Sequence, residues 1–415
     1  MGAEPGHRPL DEAARLWAQR RRLLSQPWLD AASLDRLERR LRVHLSLLAD
    51  LDGPLQDPPE SPDPATVHWM AALLGDPERS LAPALEAAAG GDAPAAAARE
   101  ALILVPAFAT AQRSAGLSRI SARGAAVQVS VAAQAGLVLP DALVNTALAA
   151  DDEATRVAAI ETAAGDPGRP AGFFHPWYQS ADGAAGHAQC CAALHAGLLR
   201  GDTQAQRALG PVLQQAADDH QSNRVLRLMA LAGSDDHGET LRLYARREPV
   251  RGARLLALHG APAHLDTLLE LMARPEAAAE AALAWWRLTG AMPPRVPRLR
   301  SLDGATAGGG EIPDVQWAEG WLRCHRDRLA AAPRLLQGRA LDEPGLARAC
   351  RDWAGAAGAH ALDQARMLAG PALKARPAQW LALRRRHLEA AGLRDQAEPP
   401  PELAGADPWE HGHYA

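Results

Sequence analysis

Three stretches of the chain end in the same way, and their spacing constrains the fold more than any other feature. Ala230-Leu231-Ala232-Gly233, Ala257-Leu258-His259-Gly260 and Arg287-Leu288-Thr289-Gly290 each close a helical pattern with glycine, a residue suited to the turn that ends a helix. The terminal glycines lie 27 and 30 residues apart, and Gly165 precedes Gly233 by 68 residues. A period of about 30 residues with two helices in each period marks an α-solenoid.

The clearest single unit runs from Pro140 to Pro167. Pro140 can open a helix, because its missing N–H is not needed in the first turn. Leu143, Val144, Ala147 and Leu148 then form an apolar stripe at helical spacing. Asp151 and Asp152 interrupt the stripe and are suited to capping a second helix. Val157, Ala158, Ile160 and Ala164 carry the second stripe, which Gly165-Asp166-Pro167 ends. Each helix has about three turns, too short to be stable alone. Stacking on neighbouring copies covers both apolar faces.

Composition agrees with an all-α fold. Hydrophobic residues make up 47% of the 415 positions but aromatics only 4%, so much of the core is small side chains that let helices approach closely. Alanine, which is abundant, has the highest helix propensity. Val127 to Val131 alternates as a strand would, but within an alanine-rich helical context. The net charge of -5 argues against a general nucleic-acid binder, which would carry a basic stripe. No run of about 18 apolar residues is present, so no membrane span is expected. The first residues lack an apolar signal segment. Cys190, Cys191, Cys324 and Cys350 make no CxxC pair, so neither a disulfide framework nor a zinc site is expected. A cytoplasmic protein is the expectation.

In chain order, residues 1–50 predict an N-terminal helical hairpin and 51–64, with five prolines, a stiff linker. Residues 65–290 predict the repeat array, with an aromatic insert at 172–183. A Pro/Gly loop follows at 291–313, then a C-terminal helical region at 314–393 (helical stretches 314–331, 342–354, 359–369 and 377–391) and a flexible tail at 394–415.

The insert is the most distinctive local feature. It holds Phe173, Phe174, His175, Trp177 and Tyr178, including two of the three phenylalanines in the chain. Two readings are open. The rings are contact anchors of a binding loop, or they plug the space between two repeat units. Trp285 and Trp286 complete the candidate interaction residues. Neighbours on a helix point about 100° apart, so both cannot face one core; either one meets the 291–313 loop or a partner, or the two pack between neighbouring helices.

Other constellations point away from chemistry. His175, Ser180 and Asp182 lie close in sequence but without a nucleophile elbow. Asp218-Asp219-His220 and Asp235-Asp236-His237 fall at helix starts, where aspartate caps. His411 and His413 are two ligands in a tail, short of a metal site. Cys190-Cys191 opens an apolar helix, where cysteine is a small hydrophobe. No catalytic residue, cofactor site or metal site is predicted.

Residues 151–165, DDEATRVAAIETAAG, resemble the second-helix pattern of the HEAT-like superfamily, with Arg156 and Val157 in swapped order. Glu12 to Trp17, Leu34 to Leu37 with His44-Leu45, Trp285 to Gly290, and Trp317 to Arg339 leading to Arg366–Leu368 and Arg376-Pro377-Ala378 together resemble an uncharacterised family of proteobacterial HEAT-like proteins. Ala331 to Leu336 departs from it, standing where that family has an aromatic and a Gly-x-Arg-Tyr-like run. Members of the family are often encoded beside type VI secretion genes. The resemblance therefore implies a HEAT-like α-solenoid of stacked antiparallel helix pairs, acting as a non-enzymatic scaffold or adaptor. Its implied partner is a protein, such as a type VI secretion component or effector. The alternative is a repeat protein that binds a small molecule, or assists an enzyme, through residues 172–183.

Overall fold

The computed structural model describes residues 7–50, 59, 61–105, 122–179, 184–297 and 311–393. Most of the 51–64 linker, the middle of the 291–313 loop and the 394–415 tail lie outside the described residues. So do Ser180, Asp182, His411 and His413.

The protein is mostly helical. Among the described residues it has nineteen α-helices and three short antiparallel ribbons. Helices α1 (His7–Leu24) and α2 (Ala31–Asp50) form the N-terminal hairpin, joined through strand β1 (Leu29–Asp30). Helices α3 (Pro62–Gly75), α4 (Pro77–Ala88) and α5 (Ala93–Leu104) follow. Residues 122–135 are helix α6, so the alternating Val127–Val131 run is helical: Val129 and Val131 pack into the core beside Ala132.

Next come α7 (Asp141–Leu148), α8 (Glu153–Ala164), α9 (Ala184–Leu198), α10 (Thr203–Gln214), α11 (Asp219–Ala232), α12 (Asp235–Arg247), α13 (Pro249–His259), α14 (Leu265–Met272) and α15 (Ala278–Thr289). Capping sets the helix starts. Asp152 accepts from the Thr155 N–H at 2.8 Å, and Asp218 from that of Gln221 at 2.8 Å. At α12, Ser234 occupies the cap position, while Asp235 and Asp236 lie in the first turn, where their charge opposes the positive helix end. Gly233, Gly260 and Gly290 all take the left-handed conformation that ends a helix.

Packing sorts these helices into two rows. α6, α8, α9, α11, α13 and α15 each pack on the next. α7, α10, α12 and α14 pack outside them on α8, α9 and α11, α13, and α15 respectively. Alanine lines many contacts: Ala159, Ala163, Ala193, Ala196, Ala253 and Ala281 are fully or almost fully buried.

The 291–313 stretch is in part a ribbon, with β2 (Arg295–Pro297) paired to β3 (Glu311–Pro313). Beyond it come α16 (Val315–Ala330), a ribbon of β4 (Leu335–Leu336) and β5 (Arg339–Ala340), α17 (Glu343–Asp352), β6 (Trp353–Ala354), α18 (Gly355–Ala369) and α19 (Leu381–Ala390). This C-terminal region does not stand apart. β6 pairs with β1, α19 and α17 touch α2, and α18 touches α1 and α11.

Two sets of contacts fix that region. One is a buried ion pair between Arg20 of α1 and Glu38 of α2 at 2.9 Å. Arg20 also donates to the carbonyls of Ala378 at 2.8 Å and Gln379 at 3.2 Å. Its guanidinium lies between the rings of Trp17 and Trp380, and Glu38 accepts from the Leu381 N–H at 2.8 Å. A buried pair is maintained only when its remaining hydrogen-bonding capacity is met, and here both partners meet it on the C-terminal region.

The second set lies at the ends of the inner helices. Gln379 donates to the Ala135 carbonyl at 2.8 Å, and the Lys374 ammonium to that of Gly165. Arg334 donates to the His259 carbonyl at 2.7 Å and the Leu258 carbonyl at 3.2 Å. The N–H groups of Leu335, Gln337 and Gly338 donate to Gly260, Arg287 and Leu288, each at 2.7 Å. The carbonyl ends of α6, α13 and α15 thus find donors in the stretch of chain between Arg334 and Gln379, which also reaches Gly165 just past α8. A side chain at Gly233, which ends α11, would run into the Arg334 guanidinium, and one at Gly370 would meet the Leu199 carbonyl just past α9.

Replacing Glu38 by alanine is expected to cost about 3–5 kcal/mol, because it leaves Arg20 buried without its counter-ion. Urea unfolding of the full chain checks this; a loss under about 1 kcal/mol would show that the pair does not hold the two regions together.

Candidate functional site

The aromatic insert forms two turns of 3-10 helix, Ala171–Phe173 and His175–Trp177, between α8 and α9. Phe174 is fully buried and Tyr178 nearly so. Phe173 and Trp177 are half-buried against the core, and His175 is exposed. Phe173 meets Phe174 edge-on at 5.0 Å and Trp177 at 5.6 Å. Two guanidiniums lie over these rings, Arg169 over Phe173 and Arg200 over Phe174, each at 4.7 Å, a favourable arrangement for a cation and a ring face. Arg200 also donates to the carbonyls of Ala163, Ala164, Asp166, Arg169 and Ala196.

Asp202 anchors the other side. It caps α10 through the Gln204 N–H at 2.9 Å, accepts from the Tyr178 hydroxyl at 2.7 Å and meets Nε2 of His175 at 2.9 Å. Burial pushes its carboxyl up, but the bonds from Tyr178, Gln204 and His175 outweigh that and hold it below the usual carboxylate range. Burial and the Asp202 carboxylate push the Tyr178 hydroxyl far above its ordinary value. Gly197 is required beside it, since a Cβ there would strike the Tyr178 hydroxyl. The rings of Phe174 and Tyr178 therefore act as packing; the edges open to solvent belong to Phe173, His175 and Trp177.

Trp285 and Trp286 point apart, as helical geometry requires. Trp285 is fully buried, edge-on to Trp321 at 5.9 Å. Trp286 is half-buried and touches Trp28 at 5.8 Å and Trp353 at 5.1 Å. It thus joins the N-terminal turn to the C-terminal region, with Trp28 left 42% exposed. Among the described residues no ring contact links this group to the 173–178 cluster. Cys190 and Cys191 are buried thiols pushed up to about 12 and about 11, by burial in the first place, so neither is a ready thiolate.

The most chemically distinctive surface was not evident from the sequence. It gathers arginines from α11, α13, α15 and α18 with Arg376 just beyond. Arg227 pairs with Asp363, and Arg254 with Glu280 at 2.9 Å. Arg224, Arg287, Arg366 and Arg376 form no ion pair among the described residues. Glu161 of α8 faces Arg366, Arg224 and Arg376 without direct contact; burial raises its carboxyl, and these three guanidiniums oppose the rise.

Part of this surface is a cleft of about 410 Å³ between the N-terminal turn and helices α11, α13, α15 and α18. Arg287 and His360 line it, each 9% exposed, and neither Nε of Arg287 nor Nε2 of His360 has a hydrogen-bond partner. The one visible hint in sequence was Arg287 itself, set between the apolar Trp285 and Leu288 near a helix end.

Three histidines share a property. His195, His264 and His360 are each pushed down to about 3 by burial first, aided by Arg366, by His259 and by Arg287 respectively. Comparison of the chain with models of known families, with characterised proteins and with solved structures gives no match.

A pH dependence follows. Between about pH 6.5 and 3 the unfolded chain binds protons on these imidazoles that the folded chain does not, so stability rises with pH across that window and is lost on acidification. The urea midpoint is expected to fall from about pH 7.5 to about pH 4.5; a midpoint that stays flat or rises would contradict neutral buried imidazoles.

Proposed function

We propose that this protein is a non-enzymatic binding scaffold, built from HEAT-like stacked helix pairs, that receives an acidic protein partner on its arginine-rich surface. The observation that carries the reading is the pair of solvent-reaching guanidiniums that form no ion pair among the described residues, Arg224 and Arg366, with Glu161 facing them, in a chain whose net charge is -5. Guanidiniums are costly to hold together without counter-charge and match carboxylates in geometry. The two rows of helices, held at their ends, supply a rigid support for such a surface.

The resemblance to a HEAT-like family often encoded beside type VI secretion genes suggests where to look, among the acidic components or effectors of that apparatus. Duplex DNA draws less support from a chain whose net charge is -5. The alternative of a small molecule held by residues 172–183 draws little support from Phe174 and Tyr178, whose rings are interior.

Affinity purification of the tagged full chain from its native cells tests the reading. An acidic protein is expected to co-purify at low salt and to be lost at about 0.5 M salt or on charge reversal at Arg224 and Arg366. Recovery of the chain alone at low salt, or capture of DNA in place of protein, would overturn it.

A further inference from the structure

Two buried histidines tie the turn between α11 and α12 to the turn between α13 and α14. His259 ends α13, and His264 closes the 3-10 turn Pro262–His264 before α14; both are fully buried. Nε2 of His259 meets the Ser234 carbonyl at 3.0 Å, and Nε2 of His264 meets Nδ1 of His259 at 3.0 Å. Nδ1 of His264 has no partner among the described residues. These contacts fix the protons. A carbonyl only accepts, so His259 carries its proton on Nε2; its Nδ1 then accepts, so His264 also carries its proton on Nε2. The relay runs from His264 through His259 to Ser234 and leaves one open nitrogen at its start. A first added proton leaves a buried charge with an N–H of His264 unpaired, which is costly. A second puts hydrogen on both nitrogens of the His264–His259 contact and breaks it.

We propose that His259 and His264 form an acid-sensitive latch, which clamps the start of α12 to the turn before α14 and opens on proton uptake while the rest of the chain stays folded. The surroundings favour the neutral, closed form. Arg242 of α12 and Arg334 lie near the pair, with His237 beside it, against one carboxylate, Asp235. Helix α16 also meets the turn, but its Arg326 is matched to Asp266. Burial pushes both imidazoles below their ordinary range, with help from these neighbours and against the Ser234 bond and Asp235. Opening returns the rings to water, so it becomes easier as pH falls below about 6.5. The latch adjoins the stretch that meets the inner row. Arg334 donates to the carbonyl of the same His259, and a side chain at Gly233 would strike its guanidinium. Acid at the latch thereby loosens one hold of that stretch on the inner row. This local opening is distinct from the whole-chain loss of stability and does not rest on the partner reading.

Native-state hydrogen exchange of the full chain at about pH 7.5 and about pH 5, corrected for intrinsic rates, tests the latch. Protection in α12 and in the first turn of α14 is expected to fall about thirtyfold, the yield of one proton taken up by His264 on opening. Helices α1 and α2 are expected to change by less than about threefold. His264→Gln keeps an N–H donor that does not titrate and is expected to remove most of the fall in α12. His264→Leu removes the titration without keeping the donor, and it decides the matter if the glutamine variant does not fold. Nitrogen-15 spectra of the labelled histidines give a second readout, with both rings expected to carry the proton on Nε2 at neutral pH. An equal loss in α1 and α2, no loss in α12, an undiminished fall in a folded variant, or a proton on Nδ1 of either ring would overturn the proposal.

Discussion

The carbonyl ends of the inner helices converge on one stretch of chain, and the rest of the structure depends on that contact. The last carbonyls of a helix have no partner within it and together carry partial negative charge. A row of helices pointing the same way gathers these groups at one edge. Here Arg334, Leu335, Gln337, Gly338, Lys374 and Gln379 supply the missing donors. Two of those donors are cations, which the helix dipoles favour. Gly290, at the end of α15, both reverses the chain and keeps the end open, since Gln337 lies against it.

This contact explains why the C-terminal region is not a separate unit. The segment that satisfies the helix ends also runs past Trp380 and Leu381, where the Arg20–Glu38 pair binds it to the first hairpin. The N-terminal hairpin is thus held to the segment that meets the inner row. The arginine-rich surface is a consequence: α18 brings Asp363 and Arg366 opposite α8 and α11, and the cleft opens where the N-terminal turn fails to fill the space between α15 and α18. The arginines of that surface, Arg376 apart, sit on helices rather than on loops.

Local features were legible in the sequence because their causes are local. The apolar stripes of α7 and α8, the caps Asp152 and Asp218, and the terminators Gly233, Gly260 and Gly290 each act within a turn or two. The 291–313 stretch reads as a loop in the sequence, because the three residues of each strand in its ribbon give no pattern. Long-range partners were not legible. Arg334 is 75 residues from His259, and nothing near Arg334 announces that it will serve a helix end. The cleft was hidden for the same reason, with one or two polar groups on each of several helices. The insert at 172–183 was conspicuous for its rings, yet composition alone left open whether they bind or pack. Asp202, Arg169 and Arg200 make Phe174 and Tyr178 packing residues, and all three lie outside the aromatic run.

Amide hydrogen exchange in an Arg334→Met variant tests the central claim most directly. If the strip holds the inner row, protection falls together across α11, α13 and α15, well beyond the carbonyls that Arg334 touches. If exchange quickens only around residues 334–340 while those three helices keep their protection, the strip is an appendage and the account is wrong.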